Sequence, residues 1–516
     1  MPDDVPATDY HERTEHSPES VRSGPGLNFA NKPTPYKIYE DLPHEGLPDE
    51  PSDPGTPALE AVAVDRSAPP ARAPFDDSPP TRIDRETLAQ LCYYAAGVTK
   101  EVQLRNRTVA FRAAACTGAL YHVDLYPVVG DLADLDPGVY HYDPRTDSLD
   151  VLREGDYRGV LAAAAEHDRV AEAPVTFVLT STWWRNAWKY GERTFRHAFW
   201  DSGTVAANLA AVAHARGLPA SVVMGFADGP AVDLLGLDPT DEAPLELVPV
   251  GAADPAPAPP TVDPIDPGTE PLSPDPKPYP LIPRAWHAGT LGDGGVADWR
   301  RDVSARVPIG CRGPGEGERI PLDPVDRETA SSRPLGNTIV RRGSCREYER
   351  EPISFRKLST VLDRAIRGGP LDVRDPDGPP LQYTDCYLIA NAVEGIESGV
   401  YHLQAAEGEL ERLRRGEFRQ DAGHLALDQP LGADAAVCLH FMADVESVTE
   451  TAGDRGYRVA QFEAALTAGR LYLATYAHRT LGGTGLTFYD DRVTDFLSPR
   501  AAGQTPMFLY TIGRPA

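Results

Sequence analysis

Lysine is nearly missing from this chain. Six lysines (Lys32, Lys37, Lys100, Lys189, Lys277 and Lys357) stand among 50 basic residues, against 77 acidic ones and a formal net charge of −27. A surface of that sign repels phosphate backbones, which excludes nucleic acid as a partner. Acid excess with little lysine suits concentrated salt, where carboxylates hold water and counter-cations and lysine's apolar stem is a liability. The composition therefore reads as that of a halophilic, cytoplasmic protein. Six cysteines occur without any Cys-x-x-Cys spacing, which argues against a zinc site and against a disulfide scaffold, and no metal is expected. No apolar run approaches the roughly 20 residues that span a bilayer. The start, Met1-Pro2-Asp3-Asp4, lacks the basic and apolar regions of a signal peptide.

What the chain does have is repetition. Asp136-Pro137-Gly138-Val139-Tyr140-His141-Tyr142 returns 261 residues later as Glu397-Ser398-Gly399-Val400-Tyr401-His402-Leu403. Gly155-Asp156-Tyr157-Arg158 returns at the same shift as Gly416-Glu417-Phe418-Arg419, and Arg193-Thr194-Phe195-Arg196 returns at a shift of 262 as Arg455-Gly456-Tyr457-Arg458. A period this long is too large for a solenoid and implies a duplicated domain.

Composition divides the chain into an N-terminal strap (1–74), a first copy (75–250), a proline-rich linker and irregular insertion (251–336) and a second copy (337–516). Two islands stand out in the strap, Tyr10 to Ser17 and Asn28 to Lys37. In copy one, Asp84 caps an opening helix that Gly97 stops, Val175–Leu179 is a strand, 201–216 a long helix and 245–250 a closing strand. Copy two repeats the order with a helix at 353–366, a strand at 435–441, a helix at 457–478 and a strand at 507–512. Alternating helices and strands fit a layered α/β or α+β domain, and two copies on one chain most simply pack as an internal pseudo-dimer, with one chain sufficient for the pair.

Chemistry concentrates in two short segments. Arg341-Arg342-Gly343-Ser344-Cys345-Arg346 precedes the opening helix of copy two, and guanidinium pairs with a hydroxyl on one turn suit a phosphate. Arg112-Ala113-Ala114-Ala115-Cys116-Thr117-Gly118 precedes a strand in copy one, and small residues there let backbone approach a flat ligand.

Together these segments resemble the nitroreductase superfamily of flavoproteins, and within it the SagB-type dehydrogenase branch. There the turn reads Arg-Arg-Ser-x-Arg and the segment before the early strand reads Pro-Ser-Ala-Gly-Ala-Leu-Tyr-Pro. The Gly-Val-Tyr-His strand, the Gly-Asp-Tyr-Arg helix entry and both strap islands are also similar to that branch. The resemblance implies two domains, each a central mixed β-sheet flanked by helices, and an FMN held between them. Arg342, Ser344 and Arg346 would then hold phosphate and ribityl, Cys116, Thr117 and Gly118 would lie against the ring, and Gly483 and Gly485 would approach its reactive edge. Gly343 and Ala115-Cys116 depart from the family pattern.

Each copy has kept a different part. Counted back from the opening helix, Ser344 corresponds to Pro74 within Ala71–Phe75, and the phosphate turn is lost there; Cys116-Thr117-Gly118 corresponds to Asp377-Gly378-Pro379, and the ring-side segment is lost there. One composite site survives. Lys189-Tyr190 matches the Lys-Tyr pair with which azole-forming relatives remove a proton as hydride leaves for flavin N5, whereas copy two has Thr451-Ala452. The expected function is an FMN-dependent oxidoreductase acting on a small molecule or a modified peptide, azoline rings included. Two alternatives are a flavin-free scaffold for a peptide or partner enzyme and an NAD(P)H-fed reductase.

Overall fold

The computed structural model describes residues 4–22, 26–63, 82–104, 107–326 and 333–516. Copy one forms a six-stranded sheet from β1 (His44–Gly46), β2 (Val123–Val129), β3 (Gly138–Asp143), β4 (Ser148–Glu154), β5 (Val175–Thr182) and β6 (Glu242–Val250), in the order β1-β4-β3-β2-β5-β6. In copy two the corresponding strands are β7 (Glu318–Pro321), β9 (Asp385–Ala390), β10 (Gly399–Gln404), β11 (Glu409–Arg415), β12 (Val437–Ala443) and β14 (Thr505–Pro515). Their order, β7-β11-β10-β9-β12-β14, is the same, with β8 (Tyr348–Glu349) and β13 (Gly482–Leu486) added alongside β14. The α+β class and the duplication expected from the sequence are what the structure has. Every pairing within these two sheets is antiparallel. Parallel pairing is confined among the described residues to Ile353–Ser354 with Val393–Glu394 and two isolated bridges.

The opening helix Arg85–Ala96 is capped as expected, the Asp84 side chain accepting from the Thr87 amide at 2.8 Å. Both long helices start earlier than their alanine-rich stretches suggest, at Thr194–Ala215 and Asp454–Ala477, because a helix buried on all sides carries no amphipathic stripe to mark its start. These two helices pack against each other as the core of the interface between the copies. At the crossing, a Cβ on Gly203 would lie 2.7 Å from that of Ala465, and one on Gly469 would lie 2.6 Å from that of Ala207. Gly203 with Ala465, and Ala207 with Gly469, are equivalent at the 262-residue shift. The contact therefore lies on the pseudo-two-fold axis, each copy giving one glycine and one alanine.

The same symmetry governs two buried ion triads. Asp490 takes Arg193 at 3.0 Å and Arg196 at 2.7 Å, and Asp228 takes Arg455 at 2.7 Å and Arg458 at 3.1 Å. Each carboxylate belongs to one copy and each arginine pair to the other.

The straps complete these triads. Around Asp490, the His11 and Thr14 carbonyls accept from Arg196 and Arg193, the His16 amide donates to the carboxylate at 2.8 Å, and the Asp490 amide donates to the His16 carbonyl at 3.1 Å. Around Asp228, the Trp286 and Gly289 carbonyls accept from Arg458 and Arg455, the Leu291 amide donates at 2.9 Å, and the Asp228 amide donates to the Leu291 carbonyl at 3.2 Å. The offset between these partners is 275 residues at each position. It holds again at the sheet edge, where His44 pairs with Asp150 and Arg319 with Glu411.

Residues from about 280 to 321, expected as an irregular insertion, are therefore a second strap, and the duplicated unit includes it. The proline-rich stretch before it is laid against the first strap, with Thr34, Glu40 and Glu270 amides donating to Leu272, Gly268 and Ile38 carbonyls.

Two outcomes follow. Gly469→Ala should lower stability by about 1–3 kcal/mol, since backbone and a partner methyl block the added carbon; urea unfolding of the full chain measures this. Burial alone would raise the Asp490 carboxyl, but Arg193 and Arg196 outweigh it and hold it well below the usual carboxylate range. Its contribution is then complete above the unfolded value of about 4 and is lost as pH falls further. Asp490→Asn should cost about 3–5 kcal/mol at neutral pH by leaving two buried guanidiniums without their charge partner, and the difference from wild type should shrink in acid. A pH-independent difference would mean that the charge is not what matters.

Candidate active site between the two copies

The ring-side segment of copy one is organised by one carboxylate inside the long helix. Asp201 accepts from the Thr117 amide at 3.0 Å, the Thr117 hydroxyl at 2.7 Å and the Cys116 thiol at 3.0 Å, and lies 2.8 Å from His122 Nε2. The Asn186 amide adds a bond to the Thr117 hydroxyl at 2.7 Å. This holds a tight loop in which Gly118, Ala119 and Tyr121 have φ of 63°, 52° and 48°. Only glycine adopts that region freely, so two further residues held there store strain in this loop.

Gly118 also faces Tyr190, whose hydroxyl would lie 2.8 Å from a Cβ at that position. Tyr190 in turn stands edge-on over His197 with ring centroids 4.5 Å apart. The expected neighbours Cys116, Thr117, Gly118, Lys189 and Tyr190 thus form one surface of copy one.

Copy two brings its residues to the same surface. Arg342 donates from Nε to the Ala113 carbonyl at 2.9 Å and from Nη2 to the Arg112 carbonyl at 3.2 Å. Expected as a phosphate ligand, it docks its own turn onto the ring-side segment through backbone carbonyls. Arg346 is exposed and lies close enough to Lys189 and Tyr190 to act on both electrostatically. The side chains of Ser344 and Arg346 make no hydrogen bond among the described residues.

Gly483 and Gly485 are joined to this turn. The Gly483 carbonyl accepts from the Cys345 amide and the Tyr476 hydroxyl, each at 3.1 Å, and the Gly485 amide donates to the Tyr472 hydroxyl at 2.6 Å. The Arg342 guanidinium lies 5.6 Å from the centre of the same Tyr472 ring. Just beyond, the buried Thr487 hydroxyl has no partner among the described residues.

The electrostatics separate the two members of the Lys-Tyr pair. Partial burial, then Arg346 and Lys32, lower the Lys189 pKa from its usual 10.5. Burial, then Asp201 and Cys116, raise the Tyr190 phenol against the pull of Arg346, so it stays protonated. Burial, then Asp201, push the Cys116 thiol well above its usual range and keep it neutral.

The pseudo-symmetric counterpart of this surface is filled. Met224 and Gly225, equivalent to the glycine turn, donate their amides to Asp372 at 2.8 and 3.1 Å. Arg300 binds that carboxylate at 2.7 Å and the Gly225 carbonyl at 2.7 Å. Trp299 lies on Gly225, 2.9 Å from where a Cβ would be, and its Nε1 donates to the Ala452 carbonyl at 3.2 Å. Ala452 is the counterpart of Tyr190. The helix Val296–Ser304 within the second strap thus closes this face. Ala71 to Phe75, where the lost phosphate turn was read, lies outside the described residues.

A family model described as the nitroreductase family matches residues 72–252 and 339–513. The chain belongs to the nitroreductase family. A protein of Methanocaldococcus jannaschii described as a nitroreductase is 30% identical over 185 residues, 35% of this chain and 90% of the relative. The trifolitoxin-processing protein TfxB of Rhizobium leguminosarum bv. trifolii is 28% identical over 171 residues, 32% of this chain and 46% of that protein. A crystal structure from Anabaena variabilis, also described as a nitroreductase, superposes with a TM-score of 0.76 at 25% identity and 99% coverage of both chains. The family and the SagB-type branch expected from the motifs are borne out, and the chain is an oxidoreductase of this family carrying two nitroreductase domains.

Sequence reasoning missed Asp201, His122, Asn186 and Tyr472. Asp201, Asn186 and Tyr472 lie within helices and His122 just before a strand, and only tertiary packing reveals that His122, Asn186 and Asp201 meet at one loop. It also passed over the convergence of Cys116, His122 and Asp201, whose donor atoms lie within 4.8 Å of one another although nothing in their spacing suggests it. These atoms bond directly to each other or to Thr117, Tyr121 and Ser181.

Asp201→Asn removes the charge that holds the Cys116 proton in place. In a Cys311→Ser background, thiol labelling at pH 8 should speed up several-fold at Cys116. An unchanged rate would show that Asp201 does not control this residue.

Proposed function

We propose that the chain is an FMN-dependent oxidoreductase with one cofactor site per chain, built from Ser344, Arg346, Gly483 and Gly485 of copy two and Cys116, Thr117, Gly118, Lys189 and Tyr190 of copy one. The observation that carries this reading is the asymmetry of the two interfaces. One leaves a hydroxyl and a guanidinium unbonded beside an exposed glycine, whereas Trp299 and Arg300 fill its counterpart. The residues present fit a flat phosphorylated cofactor, since Ser344 and Arg346 offer donors for a phosphate, Gly118 allows close approach and the buried Thr487 hydroxyl lacks a partner among the described residues.

Bound there, FMN would supply a two-electron acceptor at N5. Lys189, with its proton loosened by burial and by Arg346 and Lys32, is the group suited to take a proton from the substrate. Tyr190, kept protonated and packed against Gly118 and His197, orients the substrate by donating a hydrogen bond. Arg342 keeps the turn of copy two in register with copy one. The substrate class is a small molecule or a modified peptide. The name of the trifolitoxin-processing relative and the Lys-Tyr pair both favour oxidation of a ring in a peptide.

Protein purified in concentrated potassium chloride should contain one FMN per chain, and Arg342→Ala should retain much less. No flavin, with no uptake of added FMN, would leave only a scaffold; two per chain would contradict the single site. Lys189→Met should keep its flavin and lose at least about 100-fold in kcat, as expected for loss of a general base. The wild-type rate should rise with pH through an apparent pKa below the 10.5 usual for lysine.

A further inference from the structure

Beside the candidate site, and outside it, a cleft of about 840 Å³ opens between the loop after Asp53, the helix Leu335–Arg341 and the end of the long helix of copy two. Arg333, Arg341 and Arg479 line it together with Asn337 and His478. In a chain with 27 more negative than positive groups, three guanidiniums face this one space.

They have no carboxylate to answer them among the described residues. Asp53, also in the lining, gives one oxygen to the Gly55 amide at 2.8 Å and the other to the Asn337 amide at 2.7 Å. Arg333 donates to the Tyr476 carbonyl at 2.9 Å, and Arg341 and Arg479 make no hydrogen bond or ion pair among the described residues. Partial burial and the charges of Arg341 and Arg479 lower the affinity of Arg333 for its proton, so the three groups repel one another. His478, held neutral with its pKa lowered to about 4 chiefly by burial, keeps a buried Nε2 without a partner among the described residues. Like charges gathered around a space, with donors unspent, cost stability unless an anion relieves them.

We propose that this cleft binds a small molecule carrying a phosphate or diphosphate group, which Arg333, Arg341 and Arg479 chelate while Asn337 and His478 complete its hydrogen bonds. The volume is that of a small-molecule site. The cleft adjoins the candidate active site through the chain itself. Arg341 precedes Arg342, Arg479 lies three residues before Gly482, and Tyr476 takes Arg333 on its carbonyl while giving its hydroxyl to the Gly483 carbonyl. An anion here would be felt at the glycine turn.

The test is calorimetric titration of the full chain, flavin-loaded where flavin is retained, with inorganic pyrophosphate and separately with ADP at one fixed chloride concentration. Binding should weaken at least about tenfold in Arg479→Gln, the loss of one charge-assisted contact, and further in Arg333→Gln/Arg479→Gln. Arg479 is exposed, so the single variant should fold and keep the wild-type flavin content. ADP binding more tightly than pyrophosphate would identify a nucleotide site, and equal affinity a site for the diphosphate alone. No binding of either would overturn the proposal. So would binding that Arg479→Gln leaves unchanged but Ser344→Ala abolishes, because the anion would then occupy the cofactor turn.

Discussion

Two carboxylates hold the halves of this molecule in register. Asp228 and Asp490 each begin a helix near the end of one copy, and each takes the arginine pair that opens the long helix of the other. The four arginines and both acids are almost wholly buried, so neither set can be left unpaired without a large penalty. Once the triads are made, the long helices must cross where Gly203 and Gly469 let them touch. Arg342 then reaches the carbonyls of Arg112 and Ala113 across the interface. The candidate site depends on charge pairs that are no part of its lining.

Much of this was legible because side chains carry it. The Gly-Val-Tyr-His strands, the Asp84 cap, the Lys-Tyr pair and the arginine-serine turn are sequence patterns with local causes, and each has its place in the structure. The second strap was not legible, because the groups that bind Arg455, Arg458 and Asp228 are backbone carbonyls and amides. Trp286 can replace His11 and Leu291 can replace His16 without changing the backbone hydrogen bonds to the triad, so those bonds do not oblige the two sequences to stay alike. Asp201 escaped notice for a different reason. It sits mid-helix among buried residues, and only the approach of the loop at Cys116 gives its oxygens a purpose. Arg342 was read as a ligand because arginine on a turn suits phosphate; the copy-one carbonyls compete for the same guanidinium.

Fusion explains how one surface could be kept and its twin filled. In a dimer of identical chains, any substitution appears at both interfaces at once. Here Trp299 could come to lie on Gly225 while Thr487, its counterpart in copy two, kept a hydroxyl without a partner among the described residues. Tyr190 could keep its place over His197 while Ala452, in the twin position, became only a carbonyl for the Trp299 indole.

The positions of the two straps also fix an order in time. The second strap closes on Asp228, which the ribosome has already made. The first strap closes on Asp490, 474 residues after His16. His16 is thus made long before the carboxylate with which it pairs. Until then the segment that carries it can meet only the copy-one half of the triad, Arg193 and Arg196, and Asp490 completes the set.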